Sequence, residues 1–161
     1  VVSPTVLDAV RFAGGWIYDR VMAGWDVTVL VNSGEDVRPL EVLGAEALDL
    51  ESVLESWEQR PHPQTVAVAA DLFDLDDRVR QGVLGALEQG ATEVTLWGEL
   101  LPTELNSSVD SVEHRLSAAA RAFKAQALAV ANGAAREAVG ETETFCCGTM
   151  ASVAADLVPA S

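Results

Sequence analysis

Val27-Thr28-Val29-Leu30-Val31-Asn32-Ser33-Gly34-Glu35-Asp36 runs five β-branched or apolar residues straight into five loop-forming ones. A continuous run of that kind, without polar alternation, is the pattern of a strand buried on both faces, as in a parallel sheet. The pattern returns in Thr65-Val66-Ala67-Val68-Ala69, ending at Asp71, and in Glu93-Val94-Thr95-Leu96-Trp97, followed by Gly98. A weaker strand is expected near residues 46–49, ending at Asp49.

Helical periodicity fills the intervals. Val6, Val10, Ala13, Ile17 and Val21 recur at spacings of three and four, which predicts a helix over residues 5–24 that begins after Ser3-Pro4 and stops at Gly24. Gly14-Gly15 in its middle costs about 1 kcal/mol per glycine relative to alanine. Such a pair calls for close packing, a kink or a break. A short helix is expected from Glu51 to Trp57, ended by Pro61 and Pro63, and another from Asp76 to Gln89, stopped by Gly90. A long last helix is predicted from about Val109 to Asn132, with Val112, Leu116, Ala119, Phe123, Ala127 and Val130 as its apolar stripe.

Strands alternating with helices at this spacing predict a three-layer α/β/α sandwich. Its sheet would be short and mainly parallel, of three or four strands, Rossmann-like or flavodoxin-like. Residues 1–132 form the single α/β domain of this reading; residues 133–161 form a C-terminal tail, partly irregular. Ligands of such sheets sit outside the carboxyl ends of the strands. That rule singles out Asn32, Ser33 and Gly34 after one strand, Asp71 after another, and Gly98 with Glu99 after the last as candidate ligand-binding residues.

Gly14-Gly15-Trp16-Ile17, Ala23-Gly24-Trp25-Asp26-Val27-Thr28-Val29-Leu30-Val31, Leu43-Gly44-Ala45-Glu46 and Asp49-Leu50-Glu51-Ser52-Val53 resemble part of a Rossmann-type domain of the extended short-chain dehydrogenase class. The resemblance implies a nucleotide cofactor held at a first βα turn. The chain departs from that pattern: no strand is read before Gly14, G-x-G-x-x-G is absent, and the loop 32–36 is acidic.

The balance of ten Lys plus Arg against 25 Asp plus Glu, a formal net charge of −15, opposes nucleic acid and anionic membrane surfaces alike. Lys124 is the single lysine and is read as a solvated helix residue. That placement removes P-loop and Schiff-base chemistry. No run approaches the ~20 apolar residues of a membrane span. No secretory leader is read at the start, so a cytoplasmic location is expected.

Other groups have plain readings. Glu35, Asp36, Asp71 and Glu99 could converge on Mg²⁺, but loop carboxylates are ordinary in so acidic a chain. Cys146-Cys147 lacks C-x-x-C spacing and reads as two small thiols rather than a redox or metal pair. His114, four residues after Asp110, reads as a surface pair on the last helix, and His62 as a loop residue. Four tryptophans are many beside four Phe and one Tyr, and Trp16 and Trp25 are candidates for an interface. The resulting expectation is a non-enzymatic module acting through a protein partner or self-association, with no cofactor, no catalytic residue and no metal site. The alternative is a nucleotide or small-molecule binding protein using the strand-end loops.

Overall fold

The computed structural model describes residues 1–98, 109–133, 137–148 and 158–159. Its centre is a segment too short to be seen in the sequence. Val2 bridges Leu30 on one side and Val68 on the other, both in parallel. Val2 N–H donates to the Ala67 carbonyl (2.7 Å) and Ser3 N–H to the Leu30 carbonyl (3.0 Å). Residues 1–3 thus lie between β1 (Thr28–Val31) and β3 (Thr65–Ala69). The expectation of no strand before the glycine pair is corrected: Ser3-Pro4-Thr5 is a first βα turn leading into α1 (Val6–Met22).

From that centre the sheet grows both ways. On one side β1 pairs in parallel with β2 (Glu46–Asp49). On the other, β3 pairs in parallel with β4 (Glu93–Trp97). Beyond β4 the direction reverses. β6 (Thr142–Gly148) runs antiparallel to β4, then β5 (Val109–Arg115) antiparallel to β6, with β7 (Val158–Pro159) against β5. The fold is therefore mixed α/β, with more strands than the three or four expected: among the described residues β1–β4 pair in parallel, and β5–β7 join by antiparallel pairing.

The expected helix over residues 109–132 is corrected here. Residues 109–115 are a strand, and the helix α6 occupies only Ala118–Ala131, capped by the Ser117 hydroxyl at the Ala120 N–H. Its inward face carries Ala120, Lys124, Ala127 and Leu128, whereas Phe123 and Val130 are exposed. The last helix is shorter than predicted, and the strand β6 follows it. Within the stretch expected to be partly irregular, β6 is an interior strand.

Helices lie on both faces. α1 and α6 pack over Val29, Val31, Ala67, Ala69, Val112 and Phe145, with α2 (Arg38–Val42) beside them. The opposite core joins Val2, Leu30, Val68, Val94 and Leu96 to α3 (Leu50–Glu55), α4 (Ala70–Leu75) and α5 (Asp77–Gln89). Alternate residues of one strand thus feed opposite cores, as the strand's period of two demands. Gly15 makes the first core possible: a Cβ there would fall 2.2 Å from Leu116 Cδ2. No helix of the described residues is long and apolar enough to cross a membrane.

Candidate functional site

Strand order reverses its direction of growth at residues 1–3, and in open α/β sheets the crevice outside the carboxyl end of such a point is where ligands bind. Two loops meet there. The Asn32 side-chain amide donates to the Pro4 carbonyl (3.2 Å), and the Val6 N–H donates to Glu35 Oε2 (2.7 Å). Thr5 caps α1 by accepting from the Asp8 N–H (3.0 Å), and its hydroxyl donates to Asp8 Oδ2 (2.7 Å). Asp8 Oδ1 has no protein partner among the described residues.

One turn further along α1, Arg11 forks onto Glu137, with Nε to Oε1 at 2.9 Å and Nη2 to Oε2 at 3.1 Å. This pair pushes the Glu137 carboxyl below its usual range. Arg11 and Glu137 stand at the wall of a cavity of about 410 Å³, which Phe12, Gly98, Lys124, Leu128, Thr142 and Glu143 also line. Gly98 directly follows β4, so the cavity opens on the carboxyl edge of the parallel strands.

The cavity floor is an ion pair inserted into the backbone of α1. Lys124 Nζ lies 2.6 Å from Glu143 Oε1 and 2.6 Å from the Arg11 carbonyl. Glu143 in turn accepts from the Gly15 N–H (2.8 Å) and the Trp16 N–H (2.7 Å). In a regular helix the Gly15 N–H would serve the Arg11 carbonyl; here each of those groups is held by one member of the pair. Burial pushes the Glu143 carboxyl above its usual value. Lys124, read as solvated, is corrected: its side chain is 7% exposed.

His114 is also corrected. It points inward from β5 and bonds through Nε2 to Asp19 Oδ2 (2.8 Å), not to Asp110. Asp19 also receives the Ser117 hydroxyl (2.6 Å), so it fastens the start of α6 to α1.

Of the residues singled out in the sequence, Gly98 lines the cavity and Asn32 touches the first βα turn. Ser33 and Gly34 are exposed on the loop after β1, and Asp71 is exposed in the first turn of α4. Glu99 lies outside the described residues. Asp36 is engaged by Arg38 and Glu35 by Val6, so the acidic loops do not converge. Among the described residues no group of three or more His, Cys, Asp or Glu could hold a metal ion. Trp16 is buried, whereas Trp25 is 38% exposed, and the Arg20 guanidinium stacks against both rings at 5.1 and 4.3 Å. Asp8, Arg11, Lys124 and Glu143 were missed because each reads as an ordinary helix or tail residue until the fold brings them together.

No protein-family profile matches the chain, and no curated protein is significantly similar to it. Solved structures do share the fold. The A40926 pseudoaglycone deacetylase Dbv21 aligns with a TM-score of 0.65 at 16% identity, over 95% of this chain and 97% of that one. A triple mutant of the deacetylase Orf2*, involved in the teicoplanin biosynthetic pathway, aligns with a TM-score of 0.60 at 14% identity, over 99% and 97%. Both of these structures are of deacetylases, a finding that goes against the expectation of a non-enzymatic interaction module, or of a nucleotide or small-molecule binding protein, while the likeness itself shows the shared fold.

Proposed function

We propose that the chain is a hydrolase of the deacetylase type, removing an acyl group from an amine at the carboxyl edge of its sheet. The sheet is taken as the middle layer of an α/β/α sandwich, with the reacting groups where α1 begins. The observation that carries this reading is the match of nearly the whole chain to two deacetylase structures, together with an unengaged carboxylate oxygen at the point where the sheet order turns.

Amide hydrolysis consumes one water and yields a free amine and a carboxylic acid. It needs a base for the water and a positive group for the charge developing on the carbonyl oxygen. Asp8 is placed to serve as the base through Oδ1, since Oδ2 is steadied by the Thr5 hydroxyl. Arg11 lies three residues on, on the same side of the helix, and the Asp8 charge acts on its guanidinium. Only two of the five Arg11 N–H groups are used by Glu137, which leaves others for an oxyanion.

The test is release of free carboxylic acid from a panel of N-acyl amines. Asp8→Asn keeps the backbone N–H that Thr5 caps, and it should lower turnover by about 10²–10⁴-fold while leaving the unfolding midpoint nearly unchanged. Absence of acid release by the folded wild type, or an Asp8→Asn variant as active as wild type, overturns the reading.

A further inference from the structure

We infer that the cavity between α1, α6 and the start of β6 is an acyl subsite, and that it selects an uncharged acyl group longer than acetyl that carries an oxygen acceptor. This rests on the hydrolase reading for the kind of substrate, and on the cavity itself for the selection.

Size is the first argument. About 410 Å³ falls within the range of small-molecule sites and far exceeds what a two-carbon group fills. Arg11 belongs both to the proposed reacting edge and to the cavity wall, so a group held at Arg11 can extend into the cavity. Phe12, held by stacking on Trp97 at 5.6 Å, and Leu128 supply apolar wall.

Lys124 supplies the polar end. An ammonium group has three N–H donors. The Arg11 carbonyl and Glu143 take two of them, and the third has no partner among the described residues. A buried donor left without an acceptor is costly, and a hydroxyl or carbonyl oxygen on the ligand would satisfy it.

Charge decides against an acid at that position. Each of the two cations in the cavity wall is already matched by a carboxylate: Arg11 by Glu137, and Lys124 by Glu143. A carboxylate on the ligand would add an uncompensated buried negative charge beside two others, in a chain of net charge −15. A neutral oxygen carries no such cost.

The experiment uses four amides of one amine, N-acetyl-, N-butanoyl-, N-(3-hydroxybutanoyl)- and N-succinylbenzylamine. Binding is followed by amide chemical shifts in the intact chain, and acid release is measured in parallel. A hydrogen bond to a charged donor is worth about 1.5–3 kcal/mol, so the hydroxybutanoyl compound should bind roughly 10- to 100-fold more tightly than the butanoyl one. Shifts should appear at Gly15, Trp16 and Thr144, and the succinyl compound should produce none. Ala138, exposed at the cavity wall, provides a variant that spares the core: Ala138→Trp should abolish the preference while folding normally. Equal binding of the acetyl and hydroxybutanoyl compounds, shifts elsewhere, or an unaffected Ala138→Trp overturns the subsite. Binding with this preference but without acid release leaves the subsite standing and removes the hydrolase reading. Acid release without the preference does the reverse.

Discussion

Lys124 Nζ and Glu143 Oε1 are 2.6 Å apart with both side chains almost wholly shut from water, and they meet inside the hydrogen-bond ladder of α1. Removing one member leaves a bare buried charge, which costs about 3–5 kcal/mol. Lys124→Met and Glu143→Gln singly should each lose that order of stability. The double variant should lose far less than the sum, because it leaves no unpaired buried charge behind. Urea unfolding of the four proteins gives the coupling, and additive losses would contradict the arrangement.

The glycine pair separates into two different positions. A Cβ at Gly14 would meet its nearest atom, Lys124 Cγ, at 3.4 Å, whereas one at Gly15 would lie 2.2 Å from Leu116 Cδ2 and 2.4 Å from Cγ. Gly14→Ala should be near neutral, since the better helix propensity, about 1 kcal/mol, offsets slight crowding. Gly15→Ala should cost about 1–3 kcal/mol, and Leu116→Ala should rescue part of that cost in the double variant. Thermal unfolding of the set decides it.

The two carboxylates of the cavity should titrate with opposite sign. Glu137 is depressed by its Arg11 hydrogen bonds, so its contribution is present above the usual 4.5 and lost as pH falls through the lower folded value. Glu143 is elevated by burial, so its contribution is full below 4.5 and lost as pH rises through the higher folded value. The penalty of Glu137→Gln should therefore fade in acid, while that of Glu143→Gln should persist there. Stability profiles from pH 3 to 8 that slope alike would refute this pairing.

Cys146 and Cys147 alternate across β6, and Cys147 is the buried member. Burial, foremost, pushes its thiol up to about 12. At pH 8 only about one molecule in 10⁴ then carries the thiolate that reacts with alkylating agents. Iodoacetamide at pH 8 should label Cys146 slowly and Cys147 only on unfolding, as peptide mass mapping can show. Equal labelling of both in the folded chain would argue against this burial.

Strands β1, β3 and β4 were legible because each is an unbroken apolar run, and α1 and α5 because their periodicity and glycine stops agree. β5 and β6 were not, for one shared reason. Val112, His114 and Leu116 point inward in alternation, as do Glu143, Phe145 and Cys147. In each strand one inward position is held by a titratable residue whose partner lies on a helix: Asp19 for His114 and Lys124 for Glu143. A reading that counts only apolar residues misses that alternation, and the partner of His114 is 95 positions away in the chain. The candidate site was legible only as a rule about strand ends, which found Gly98 and Asn32. The central segment of three residues is too short for any period to register.

β6 sits between β4 and β5 although it follows both in the chain. Shortening the protein after Gly133 would not trim a loose end. It would split the sheet, leaving β4 and β5 with unpaired edges and the Lys124 ammonium without its counter-charge. Bare edges of that kind recruit other chains, so a fragment cut there should gather into aggregates, and any expression design has to carry the chain through Gly148 to keep it a single particle.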